Sequence, residues 1–238
     1  MLFPSPLVEG RLVRRYKRFL ADVELADGRI VTAHVANSGS MMGLSAPGLR
    51  VFLTVSDDPK RKLAHSLQIV EVDDGRGATL VGIDTGRPNR IVEEAILAGE
   101  VPELGPIARL RREVAYGRNS RVDLLAEAPD GALTWIEIKN VHLVRQPGLA
   151  EFPDSVTTRG AKHLADLADV VAGGARAAMV YFVHRSDCDR LAFAADLDPG
   201  YAAGFRAATA RGVAAIALVA TVTHVGTRVT GRAEILRG

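Results

Sequence analysis

Short apolar runs separated by turn residues fill the first eighty or so positions. Leu7–Val13, Phe19–Leu25, Ile30–Val35, Arg50–Val55, Ser66–Val72 and Ala78–Ile83 each predict a strand. Ala26-Asp27-Gly28 and Asp74-Gly75 predict hairpin turns. Several short strands without intervening helices predict a small β-barrel of the OB type. The Asn37-Ser38-Gly39-Ser40 and Ala46-Pro47-Gly48 segments would be loops at its mouth.

The pattern changes at about Asp84. Pro88-Asn89-Arg90 opens a helix through Ile91, Ala95, Ile96 and Leu97, stopped by Gly99. Ile107 to Tyr116 is predicted helical, with Gly117 as its stop. Val156 to Val171 predicts a helix burying Leu164, Leu167, Ala168 and Val171, ended by Gly173-Gly174. Arg176–Val183 is a continuous apolar strand, suited to a sheet covered on both faces. Asp198-Pro199 caps a further helix, and Val213–His224 and Arg228–Leu236 are final strands. The fold class is therefore α/β overall, with a barrel at residues 1–83 and an α/β domain with a mixed sheet at 84–238.

Candidate chemistry lies in Ser120 to Asn140, SRVDLLAEAPDGALTWIEIKN, which predicts a β-hairpin. Pro129-Asp130-Gly131 suits a three-residue loop, with Gly131 in the left-handed position. Ala128 then faces Ala132, and counting back sets Asp123 opposite Glu137. Lys139 shares the face of Glu137 because side chains alternate. A two-residue loop would instead set Asp123 opposite Ile138 and break this geometry. On the favoured register Val122, Leu124, Ile136 and Ile138 line the opposite, apolar face. Charges in so apolar a strand are costly unless paired or metal-bound.

Composition narrows the class. Of 238 residues, 47% are hydrophobic and 24% charged, as in a soluble globular protein. The single cysteine, Cys188, excludes an internal disulfide, and a reducing cytoplasm fits. No signal peptide is evident, and the longest apolar run, near Val213–Val222, is too short to span a bilayer, so no membrane partner is expected. The net charge of +2 points to no partner by itself, but Arg11, Arg14, Arg15, Lys17 and Arg18 cluster without an acid, as in a nucleic-acid contact. Tyr16 and Phe19 lie among them, placed to stack on bases or, for Phe19, to enter the barrel. After residue 83 the only lysines are Lys139 and Lys162, in a chain that otherwise uses arginine there. Arg159, Lys162, His163 and Asp166 fall away from the leucines of their helix, so Arg159 and Lys162 are candidate phosphate contacts and His163 is within reach of the site, with a solvated helix face as the alternative for each. His142 receives no role.

The element order with Asp123, Glu137 and Lys139 resembles the PD-(D/E)xK nuclease superfamily. That resemblance implies a divalent-metal site, and some members add a glutamate from a preceding helix, a role that Glu113 matches. The alternative for Glu113 is a surface ion pair with Arg109 or Arg112. Mg²⁺ or Mn²⁺ would be held by Asp123, Glu137 and the carbonyl of Ile138, with Glu113 on the metal or one of its waters.

A longer resemblance is to the sugar fermentation stimulation protein A family. It rests on Phe3-Pro4, Leu7-Val8-Glu9-Gly10, Arg14-Arg15-Tyr16-Lys17-Arg18-Phe19, Asn37-Ser38-Gly39-Ser40-Met41, Tyr116-Gly117, Ser120-Arg121-Val122-Asp123, and Phe152-Pro153-Asp154 through Arg159-Gly160 to Lys162-His163-Leu164. It implies an OB domain joined to a nuclease-like domain, and DNA binding with a part in sugar metabolism. Two functions follow as expectations. One is a metal-dependent nuclease acting on DNA or RNA, with a homodimer compatible. The other is a non-catalytic DNA-binding regulator of sugar (maltose) metabolism on the same scaffold. The intact trio favours the first.

Overall fold

A computed structural model describes residues 1–116 and 120–236. The expected helix stop at Gly117 lies outside the described residues. Strands β1 (Val8–Tyr16), β2 (Leu20–Leu25), β3 (Ile30–Val35), β4 (Arg50–Val55), β5 (His65–Val72) and β6 (Thr79–Gly82) follow the predicted runs. Their sheet order is β3-β2-β1-β4-β5-β6, and a parallel β3–β5 pairing closes the first five into a barrel. Alternation fills it with Leu12, Ala21, Val23, Ala33, Val35, Val51, Leu53 and Leu67. This is the OB-like barrel that the sequence predicts.

The second unit is a helix–sheet–helix sandwich. It contains α1 (Pro88–Leu97), β7 (Arg109–Tyr116), β8 (Ser120–Glu127), β9 (Leu133–Val141), β10 (Leu143–Gln146), β11 (Leu149–Phe152), α2 (Thr158–Ala172), β12 (Arg176–Val183), β13 (Arg190–Phe193), α3 (Pro199–Ala210), β14 (Ala214–Val222), β15 (Thr227–Arg232) and β16 (Glu234–Ile235). The main sheet runs β15-β14-β12-β9-β8-β7, parallel at β9–β12–β14 and antiparallel at its edges. Helix α1 packs Ile91, Val92, Ala95 and Ile96 on one face. Helices α2 and α3 cover the other with Leu164, Leu167, Tyr201 and Phe205. Asp198 ties the starts of α2 and α3 together, accepting from Thr157 N (2.8 Å) and Tyr201 N (2.9 Å).

Residues 109–116 form an edge strand, not the predicted helix. The partly buried positions Leu110 and Val114 are four apart, a spacing that fits a helix as well as every second position of a strand. Pairing with β8 decides between them, because those backbone groups find partners in the ladder. The four-stranded sheet β10-β11-β13-β16 was not predicted either, since its members are too short to show a period.

The two units interlock near the site. Asp154, just after β11, accepts from Ser40 Oγ (3.1 Å) and Met41 N (3.0 Å) of the barrel loop. Arg185 is wholly buried and bonds to Asp74 Oδ2 (2.6 Å), Asp187 and the His142 carbonyl (3.1 Å).

Candidate active site

The β8–β9 turn sets the geometry. Ala128 N donates to Ala132 O (2.9 Å), Gly131 N donates to Ala128 O (2.9 Å), and Gly131 has φ of 84°. The loop is therefore the three-residue one, and the ladder runs back from Glu127↔Leu133 to Leu124↔Ile136. The ladder stops there, one position short of Asp123 and Glu137. The Asp123 carboxylate replaces a backbone partner: its Oδ2 accepts from Ile138 N at 2.7 Å. Beyond this point Val122 packs on the α2–α3 side, whereas Leu124, Ile136 and Ile138 pack against α1. The expectation that Val122 shares their face is corrected. The strand turns at Asp123, where a side chain substitutes for the ladder.

This opening forms a cavity of about 450 Å³ lined by Asp123, Glu137, Ile138 and Lys139. Asn89 of α1, Asn140 and His142 at the end of β9, and Asp154 line it as well. Thr157, Arg159 and His163 reach it from the α2 side, and Asn37, Ser38 and Gly39 from the barrel. Asn89 Nδ2 donates to Asp123 Oδ1 (2.8 Å). Glu137 is 2% exposed. Its Oε1 accepts from Lys139 Nζ (2.7 Å) and is hydrogen-bonded to His163 Nδ1, while its Oε2 is buried without a partner among the described residues.

The two acids titrate in opposite directions. Burial and the neighbouring Glu137 charge push the Asp123 carboxyl up to about 6, against the pull of Ile138 N–H, Lys139 and Asn89. Burial also pushes Glu137 up, but His163 and the Lys139 ammonium outweigh it and hold the carboxyl below its ordinary value. One negative charge is thus settled on Glu137, and the second is costly on Asp123.

Glu113 is not part of this cluster. It lies on strand β7 with φ of 52°, exposed, and does not line the cavity. Among the described residues no three His, Cys, Asp or Glu side chains gather as a ready metal cage; Asp123 and Glu137 flank the cavity beside Lys139, while Asp154 accepts from the barrel loop. Among the described residues Glu113 makes no ion pair with Arg109 or Arg112 either, and Arg112 bonds to Glu93.

The basic cluster divides. Arg14 pairs with Asp22 (2.8 Å), and Arg11 donates to Gly48 O (3.0 Å). Arg15 donates to the carbonyls of Arg18 (2.8 Å), Asn37 (2.9 Å), Gly39 (2.9 Å) and Ser40 (3.1 Å), so it shapes the loop that borders the cavity. Lys17 and Arg18 occupy the β1–β2 turn at φ of 48° and 63°. Their side chains have no hydrogen bond or ion pair among the described residues. Tyr16 donates to Asp22 (3.1 Å), and Phe19, 45% exposed, stays outside the barrel. Arg159 lines the cavity, whereas Lys162 stands beside it, bonded to Ser120 and Asp166.

Sequence reasoning left Asn89, Asn140, His142 and Asp154 without roles. For His163 the sequence leaves two places, the site or a solvated helix face, and the residue lines the cavity at 4% exposed. The i, i+4 spacing of Arg159 and His163, next to an acid-bearing hairpin, was the available signal.

Comparison with known proteins agrees with this architecture. Residues 13–83 match the model of the SfsA N-terminal OB domain, and residues 86–226 match that of the sugar fermentation stimulation protein RE domain. The chain belongs to the sugar fermentation stimulation protein family. The sugar fermentation stimulation protein homolog of Brucella ovis is 58% identical over 226 residues, covering 95% of this chain and 93% of that protein. The homolog of Brucella melitensis is similar to the same degree, at 58%. Among solved structures, SfsA of Pyrococcus furiosus in complex with Ca²⁺ superposes with a TM-score of 0.88 at 26% identity, covering 99% of this chain and 98% of that one. The family's two-part architecture is thus present here over nearly the whole chain.

Proposed function

We propose that this protein binds nucleic acid and hydrolyses its phosphodiester bonds with the aid of a divalent cation, Mg²⁺ or Mn²⁺. The carrying observation is the departure of β8 from β9 at Asp123, which brings two carboxylates and one ammonium into one cavity. The donor set fits a hard cation: Glu137 Oε2 is buried without a partner among the described residues, and burial with the Glu137 charge makes Asp123 resist ionisation. Asp123, Glu137 and the Ile138 carbonyl would hold the ion. The related Pyrococcus furiosus SfsA was solved with Ca²⁺, which supports divalent binding by this family. When bound, such a cation polarises a phosphate oxygen and acidifies water.

The chain supplies the rest. Lys139, anchored on Glu137 Oε1, keeps a compact positive charge where an attacking water must be oriented and where charge grows on phosphorus. Arg159 in the cavity, and Lys17 and Arg18 on the barrel turn, offer cations to the backbone phosphates.

The test uses labelled single-stranded and duplex DNA and RNA with Mg²⁺, Mn²⁺ or EDTA. Metal-dependent cleavage that disappears in both Asp123→Asn and Lys139→Ala supports the enzyme. Binding without cleavage in every condition selects the non-catalytic regulator instead.

A further inference from the structure

Four side chains at the cavity form a chain of contacts that runs from its rim to its floor. Arg159, exposed in the first turn of α2, donates from Nε to His163 Nε2 at 3.3 Å. A guanidinium only donates, so His163 Nε2 carries the lone pair and Nδ1 carries the proton. That Nδ1–H faces Glu137 Oε1, where it meets Lys139 Nζ. Nδ1 and Nζ lie side by side, 3.5 Å apart, on the same oxygen. Two donors therefore claim Oε1, and Oε2 is the oxygen left for a cation. At the other end the Arg159 Nη atoms have no partner among the described residues.

We propose that His163 is a positioning residue that couples phosphate capture at Arg159 to cation uptake at Glu137. This rests on the reading of the site given above. A phosphate on the Nη atoms fixes the exposed guanidinium. Its Nε–H then holds the imidazole, and the imidazole holds Glu137 with Oε2 turned toward the ion. Phosphate binding thereby removes part of the ordering cost of cation binding, and the effect is reciprocal.

The experiment titrates the full chain with Ca²⁺ by calorimetry, alone and with a saturating short oligothymidylate. In the wild type the oligonucleotide raises Ca²⁺ affinity about tenfold. Arg159→Ala, at an exposed position, reduces that gain to less than about twofold. His163→Asn places an amide N–H where Nδ1 stood but has no atom at Nε2. Its gain, read against its own unliganded Ca²⁺ affinity, falls to less than about twofold, as does that of His163→Ala. Wild-type coupling in His163→Asn or Arg159→Ala overturns the proposal, as does a wild type that binds both ligands independently. A wild type that takes up neither Ca²⁺ nor oligonucleotide overturns the reading of the site, and this coupling with it.

Discussion

Replacing Asp123 with asparagine tests whether the site is built at the expense of stability. The carboxyl titrates at about 6 in the fold, against an ordinary 3.8. Linkage turns that difference into about 3 kcal/mol. The sign follows from the raised value. Below the ordinary value Asp123 is protonated in the folded and unfolded chain alike, and its contribution is fully in place. It is lost as pH rises through about 6, so at neutral pH the metal-free fold carries the whole cost. Asp123→Asn removes the charge but keeps the shape. The amide cannot accept from both Ile138 N and Asn89 Nδ2 as the carboxylate does, which returns about 1 kcal/mol. The expected net gain is about 2 kcal/mol in urea unfolding at neutral pH with EDTA. The wild type should regain most of its deficit between about pH 6 and pH 4, and the variant should show no such rise. With Ca²⁺ at about a hundred times its Kd the order reverses, because the wild type gains about 2.7 kcal/mol that the variant cannot. An Asp123→Asn protein that is less stable than wild type in EDTA, or equally stabilised by Ca²⁺, refutes the claim that two acids share one cation site.

Three further outcomes are expected. Lys17→Ala combined with Arg18→Ala should leave the melting temperature unchanged, weaken oligonucleotide binding, and reduce the salt slope by about 2. Arg15→Ala should instead lower the melting temperature, because the guanidinium holds four loop carbonyls, as thermal unfolding will show. Gly39→Ala should destabilise the barrel loop, since a Cβ there meets the Asp154 carboxylate at 2.9 Å, and faster amide exchange at Met41 will report it.

Local chemistry made much of the fold legible. Arg176–Val183 had to be a buried strand because the seven residues after Arg176 offer no charged face, and the structure places β12 at the same bounds. Asp198-Pro199 announced a helix start, and Asp198 is the N-cap of α3. Pro129-Asp130-Gly131 favoured the three-residue loop, and the bond from Ala128 N to Ala132 O selects it over the two-residue alternative, which also suits a left-handed glycine. Leu110 and Val114 misled because their spacing serves two periods, and only the neighbouring strand β8 settles which one applies.

The sequence by itself determined the two-part architecture and the β8–β9 register up to Leu124 and Ile136, since both follow from short-range periodicity and turn chemistry. Tertiary structure decided what those acids touch. His163 and Asn89 are distant in sequence from the hairpin and reach it only because α2 and α1 pack on opposite faces of the sheet. It also decided which cations stay available: Arg14 is taken by Asp22 across the β1–β2 hairpin, and Arg15 by carbonyls of the loop after β3. A side chain's type is local, but its partner is set by packing, and at this site the partners set the charge.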